Sequence, residues 1–214
     1  MKKPIPTVIL LTILISADSQ EYNCLKTLET ILMSTQSYSN VKIDTFSCDK
    51  MLIVKKIRSV AIVKNNRTTQ YKCCKFLSQI LQKTRDTVLR KEIINTYLSM
   101  LENKSEKSGY VVNQMRFIKI IEYDSLQIIR IKEILPIIRS KALDLFVHLI
   151  GCLELKDMMP IIKKRLSKEK KMTKPEITNI RNVLIKLGDK KTMYEFINRL
   201  EQRRKIVANK KIPA

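Results

Sequence analysis

Glycine is nearly missing from this chain, with three in 214 residues, and tryptophan is absent. Six prolines do not make up the difference. An all-β protein with many tight turns needs far more turn-forming residues, so that class is excluded. The same scarcity excludes a glycine-rich phosphate loop, because glycines this far apart cannot make one. Histidine occurs once, as His148, which leaves little for imidazole catalysis or a histidine metal site. Acidic residues are also few: 20 Asp and Glu stand against 42 Lys and Arg. No apolar run is long enough and free enough of charge to span a bilayer comfortably.

What remains favours helices. Apolar residues make up 44% of the chain, enough for one continuous core, and they recur in long amphipathic runs. The length suits one domain or one short array. A net charge of +22 attracts polyanions without specificity, whether nucleic acid, anionic headgroups or acidic glycans. Most lysines are spread along the chain, as on a solvated surface. Two denser clusters stand out: Lys163, Lys164, Arg165, Lys168, Lys170 and Lys171, then Arg199, Arg203, Arg204, Lys205, Lys210 and Lys211. Neither interleaves aromatics, so base stacking is not suggested.

Residues 1–19 read as a secretory signal peptide. Lys2 and Lys3 supply the positive start, Ile5 to Ile15 the apolar stretch, and Ala17-Asp18-Ser19 the small residues a signal peptidase inspects. The mature chain is then expected to begin at Gln20, in the periplasm or outside the cell, with no stable membrane span after cleavage. The alternative is an uncleaved N-terminal anchor. Export permits disulfides. Cys24–Cys48 is the first pairing expected, with Cys73 or Cys74 taking part in alternatives, and Cys152 is the expected buried free thiol. Two sequons, at Asn66 and Asn103, matter only in a eukaryotic secretory pathway.

Along the mature chain, Leu25, Leu28, Ile31 and Leu32 fall at helical spacing. Residues 41–46 alternate and read as extended, 51–63 read as a helix, and 65–69 as a polar turn. Cys74, Leu77, Ile80 and Leu81 make the next stripe, and Asp86 is placed to cap a helix carrying Leu89, Ile93, Tyr97, Met100 and Leu101. Residues 102–109 read as a linker. Beyond it, Val112, Met115, Ile118 and Ile121 form one stripe, and Leu126, Ile129 and Ile134 the next. Pro136 is expected to open a helix running to Gly151, with Pro160 and Pro175 in the first turns of two more. Thr173 and Glu176 match a capping box, Gly188 is expected in a left-handed helix ending, and Asp189 as the following cap. The organisation expected is a leader (1–19), an N-terminal helical region (20–104), a repeat array (110–205) and a basic tail (206–214).

The array reading rests on self-similarity. Residues 143–166 line up with 177–200 at an offset of 34, pairing Leu153 with Leu187, Met159 with Met193, Arg165 with Arg199 and Leu166 with Leu200. The better-formed copy has an apolar first helix ending Leu187-Gly188-Asp189, then Met193, Phe196, Ile197 and a closing Leu200; the other copy has Glu154-Leu155 where Gly-Asp would fall. These residues resemble HEAT-type repeats of the armadillo-like superhelical class over about 112–205. Tetratricopeptide repeats share the period, but their aromatic and small-residue signature is missing. The resemblance implies an all-α fold, a short α-α superhelix whose concave face binds partners, and no catalytic activity.

Few residues suggest chemistry. His148 reads as a helix histidine in or beside the core. His148 and Cys152 lie four apart on one helix face, the spacing of a Cys–His dyad, but their neighbours are apolar. Cys73 and Cys74 are adjacent, not spaced as metal ligands. Glu122 and Asp124 flank a helix junction, where capping explains them. The expectation is therefore an exported, non-catalytic scaffold without a cofactor, binding a protein partner or an anionic surface. Its candidate anionic-partner contacts are Lys163, Lys164, Arg165, Lys168, Lys170, Lys171, Arg203 and Arg204. The alternatives are a nucleic-acid-binding helical-repeat protein, which the leader disfavours, and an enzyme with an unrecognised site.

Overall fold

The computed structural model describes residues 7–35, 41–64, 66–104, 107–169, 172–188 and 190–209, with side chains from Ser19 to Ile206 except Thr192. Among these residues every regular element is helical. The α-helices are α1 (Thr7–Met33), α2 (Lys50–Val63), α3 (Arg67–Lys83), α4 (Thr87–Glu102), α5 (Ser108–Met115), α6 (Ser125–Ile134), α7 (Leu143–Cys152), α8 (Met159–Lys168), α9 (Lys174–Leu187) and α10 (Lys190–Asn209). None of the described helices is long and apolar enough to cross a membrane. The chain divides into two units, Met1–Thr96 and Tyr97–Ala214. The division falls within α4, and the polar segment 102–109 lies in the second unit.

In the first unit α1, α2 and α3 pack on one another. Leu28, Leu32, Ile53, Val54, Ile57, Cys74 and Leu77 are buried there. Side chains set the helix starts. Asp49 accepts from the Met51 and Leu52 N–H groups, Asn66 from Thr69, and Asp86 from Val88 and Leu89. Lys72 is buried, and its Nζ donates to the carbonyls of Ile31 and Ser34 at 2.8 Å each. That ammonium satisfies backbone acceptors at the end of α1. Burial pulls its pKa down. Cys24 and Cys48 form a disulfide, with Cα atoms 6.0 Å apart, that ties α1 to the segment before α2. Cys73 and Cys74 are buried and in no disulfide, and burial pushes the Cys73 thiol up to about 12. In residues 41–46 Lys42 and Phe46 are extended, but Ile43–Thr45 between them is a 3-10 turn where an extended run was expected. The Ile43 side chain is buried and its N–H donates to Gln79 Oε1 at 2.9 Å, so a side chain serves where a sheet neighbour would.

In the second unit α7 packs against both α5 and α9, and α9 against α10. The 34-residue register places buried side chains on buried side chains: Leu143 with Ile177, Phe146 with Ile180, Ile150 with Leu184, Leu153 with Leu187, Ile162 with Phe196, and Leu166 with Leu200. A third segment joins at an offset of 35, where Val111, Met115, Ile118, Gln127 and Ile131 match Phe146, Ile150, Leu153, Ile162 and Leu166.

Four local expectations are corrected here. The helix carrying Val112 and Met115 stops at Met115, and the turn that follows resets the helical phase. Leu126 and Ile129 therefore face outward, while Gln127, Ile131 and Ile134 face the core of α6. Pro136 does not open a helix. It follows α6, where the Ile137 and Ile138 N–H groups both reach the Ile134 carbonyl, and the chain becomes α-helical again only at Leu143. Pro160 and Pro175 do sit in first turns, and Thr173 and Glu176 do form the capping box.

Gly188 is not left-handed; its φ is −116°. A left-handed residue instead closes α7, Glu154 at φ 54°. The Glu154 N–H reaches the Gly151 carbonyl at 3.3 Å and the Leu155 N–H reaches Ile150 at 3.2 Å, a Schellman closure. The copy that lacks Gly-Asp is thus the one with the left-handed ending. Glu154→Gly is expected to raise unfolding free energy by about 0.5–1 kcal/mol, because relief of left-handed strain exceeds the entropy glycine adds to the unfolded chain. Urea unfolding checks this, and a destabilised variant would contradict it. Asp189 lies outside the described residues.

Candidate functional site

A cavity of about 440 Å³ opens in the second unit. From α7 it takes Asp144, Leu145, His148, Gly151 and Cys152, which share one helix face by their three- and four-residue spacing. From α9 it takes Thr178, Asn179, Asn182, Val183 and Lys186; Arg116, at the end of α5, completes it. Gly151 permits the approach of α9: a Cβ there would lie 2.6 Å from Val183 Cγ1. At the following position Cys152 is exposed, not buried as expected, because the glycine occupies the inward position at the end of α7.

His148 sits between two groups. Its Nε2 is 3.4 Å from Arg116 Nη2, and its Nδ1 is 3.4 Å from Cys152 Sγ. A guanidinium has no acceptor, so Nε2 accepts, which puts the ring proton on Nδ1, pointing at the sulfur. Burial first, then the Arg116 charge, hold the His148 pKa below the ordinary histidine range. A neutral ring in this tautomer turns its lone pair away from the thiol. The pair is therefore not arranged for the imidazole to deprotonate Cys152.

The polar groups around it are unevenly paired. Asp144 is buried and accepts from Asn179 Nδ2 at 3.1 Å. Lys186 bridges to Glu154 at 2.9 Å, and that contact holds the Glu154 carboxyl below its ordinary range. Arg116 has only long contacts, the one to His148 and one of 3.5 Å to Asn113 Oδ1, and its Nε is buried without an acceptor. No carboxylate pairs with it among the described residues.

None of the basic residues singled out from sequence lines this cavity. Lys164 and Lys168 are exposed on α8 and make no ion pair among the described residues. Lys163 is half-buried beside them. Arg165 is engaged internally: it pairs with Glu169 and donates to the Ile138 carbonyl at 3.1 Å. Arg203 of α10 donates to the Ser167 carbonyl at 3.1 Å, which brings the second cluster to the end of α8. Arg204 is half-buried beside Lys174, Glu201 and Lys205. Lys170, Lys171, Lys210 and Lys211 lie outside the described residues. Asp124 caps α6 by accepting from the Gln127 N–H at 2.9 Å, and Glu122 accepts from Lys119 N–H at 3.4 Å. Among the described residues no cluster of three or more His, Cys, Asp or Glu could hold a metal ion.

Sequence reasoning found the His148–Cys152 spacing but missed Arg116, Asn179 and Asn182. The only signal for them is the similar spacing of apolar residues in α5, α7 and α9, of which α7 packs against both others. A second feature it missed is apolar: Phe117, Ile120, Ile121, Leu126 and Ile129 are all exposed within 13 residues of chain. No family model, curated protein or solved structure matches this chain.

Proposed function

We propose that the chain is an exported, non-catalytic helical-repeat protein of HEAT-like arrangement that binds an acidic protein partner. The observation that carries the reading is that Arg203, from the second basic cluster, reaches the helix that carries the first. Lys164 and Lys168 lie a turn apart on α8, and Arg203 of α10 reaches the carbonyl of Ser167, which stands between them in sequence. A basic face attracts acidic surfaces and steers their encounter. The exposed apolar side chains around Phe117 and Ile121 favour a protein over a simple polyanion, since apolar clusters of this kind mark contact surfaces. A superhelical arrangement is supported by the contacts of α7 with both alternate helices and by the buried register near 34 residues. Export is supported by the leader pattern and by the Cys24–Cys48 pair. The Cys152–His148 tautomer favours binding over nucleophilic chemistry.

Fluorescence anisotropy with a labelled polyglutamate peptide tests the basic face. The double variant Lys164→Glu, Lys168→Glu is expected to weaken binding at least about tenfold at low salt, while unfolding at the same temperature, since both sites are exposed. Unchanged affinity would remove the reading. Tighter binding of duplex DNA than of polyglutamate would favour the nucleic-acid alternative instead.

A further inference from the structure

We propose that the cavity between α5, α7 and α9 is a binding site for a small monocarboxylate with an apolar portion, held by Arg116. The cavity and the α8–α10 face share no residue, so this goes beyond the acidic-partner reading and stands or falls separately.

Arg116 carries the argument. A guanidinium withdrawn from bulk water needs acceptors, and leaving one unmade costs more than the bond normally contributes. Here Nε is buried without one, and the Nη contacts are 3.4 and 3.5 Å long. A ligand carboxylate matches the planar fork of the guanidinium and supplies charge-assisted acceptors. Asn182 on α9 adds an amide donor to the same wall. Leu145 and Val183 supply apolar surface for the rest of the ligand.

Asp144 decides the charge of the ligand. Its carboxylate lines the same cavity, so a dianion such as phosphate meets more repulsion than a monoanion does. His148 adds no positive charge near neutral pH, because burial and Arg116 keep the ring neutral. The site is therefore a one-arginine carboxylate site, not a polyanion site. A cavity of about 440 Å³ accommodates a small molecule or a short peptide end.

Cys152 provides the readout. It is the exposed free thiol on the cavity wall, whereas Cys73 and Cys74 are buried and Cys24 and Cys48 are bonded. The test is the rate at which iodoacetamide alkylates Cys152 in the intact folded protein, with sodium benzoate as the carboxylate and sodium chloride at matched ionic strength as the control. Benzoate is expected to slow alkylation saturably, by about threefold or more, through occupancy of the cavity. Arg116→Gln should weaken that protection about tenfold or more, as expected for loss of a charge-assisted hydrogen bond. Asn182→Asp, at an exposed position where folding is not at stake, should abolish it by adding a like charge. Equal slowing by chloride or by inorganic phosphate would overturn the assignment, as would protection that survives in either variant.

Discussion

Phe146→Ala lowers the unfolding free energy by about 3–5 kcal/mol, the usual cost of emptying a buried aromatic site. Phe146 is fully buried at the middle of α7, the helix that packs against both α5 and α9. Its register equivalents, Val111 on α5 and Ile180 on α9, are buried too. Truncation removes the transfer energy of the ring and leaves a cavity that three helices would have to close together. Well-packed interiors relax only in part, so most of that cost stays. Ile161→Ala, on the outer side of α8, is the control, with an expected loss below about 1 kcal/mol. Urea denaturation of both variants checks the difference. Comparable midpoints would mean that α7 does not hold a common core.

Leu187→Asp is expected to cost about 3 kcal/mol or more, by lost apolar burial plus a carboxyl group moved out of water. Leu187 is buried at the last turn of α9, where Leu153 is buried at the equivalent turn of α7. The loss should shrink as pH falls through the introduced carboxyl's raised pKa, because the neutral acid is less costly to bury. Sign and window follow from linkage: above that pKa the folded state must carry the charge, and below it need not. Thermal unfolding across the acid range measures this. A variant as stable as the parent would place Leu187 on the surface. Gly188→Val, next in sequence, acts differently. An added Cβ would lie 2.9 Å from Met193 Cγ, so crowding and not backbone conformation opposes it.

Much of this was legible in the chain, and the part that was not has physical causes. The pairing of 143–166 with 177–200 could be read because Leu143, Phe146, Ile150, Leu153, Ile162 and Leu166 each fall opposite a buried apolar residue, although buried Asp144 and Val147 fall opposite Thr178 and Arg181. The copy around 108–134 could not, because Ser108 stands at the place of Leu143 and Gln127 at the place of Ile162. Gln127 tolerates burial because its side chain accepts from the Asp124 N–H at 3.1 Å, a bond no hydropathy pattern records. The helix ending at Glu154 was hidden for a related reason: a Schellman closure places a glutamate where glycine is the usual choice. Helix starts were easier. Asp86, Thr173 and Pro175 announce them by local chemistry alone. The cavity was the least legible, because Arg116, His148 and Asn182 come to one cavity only through the packing of α5, α7 and α9. The exposure of Cys152 follows from the same packing, which turns α7's last residue toward the cavity.

The most direct measurement is the intact mass of the protein recovered from outside the cytoplasm, after alkylation in denaturant without reductant. An exported helical-repeat protein predicts a chain beginning at Gln20 with labels on Cys73, Cys74 and Cys152, while Cys24 and Cys48 stay bonded. A chain that keeps residues 1–19, found in the cytoplasm with all five cysteines labelled, would contradict it.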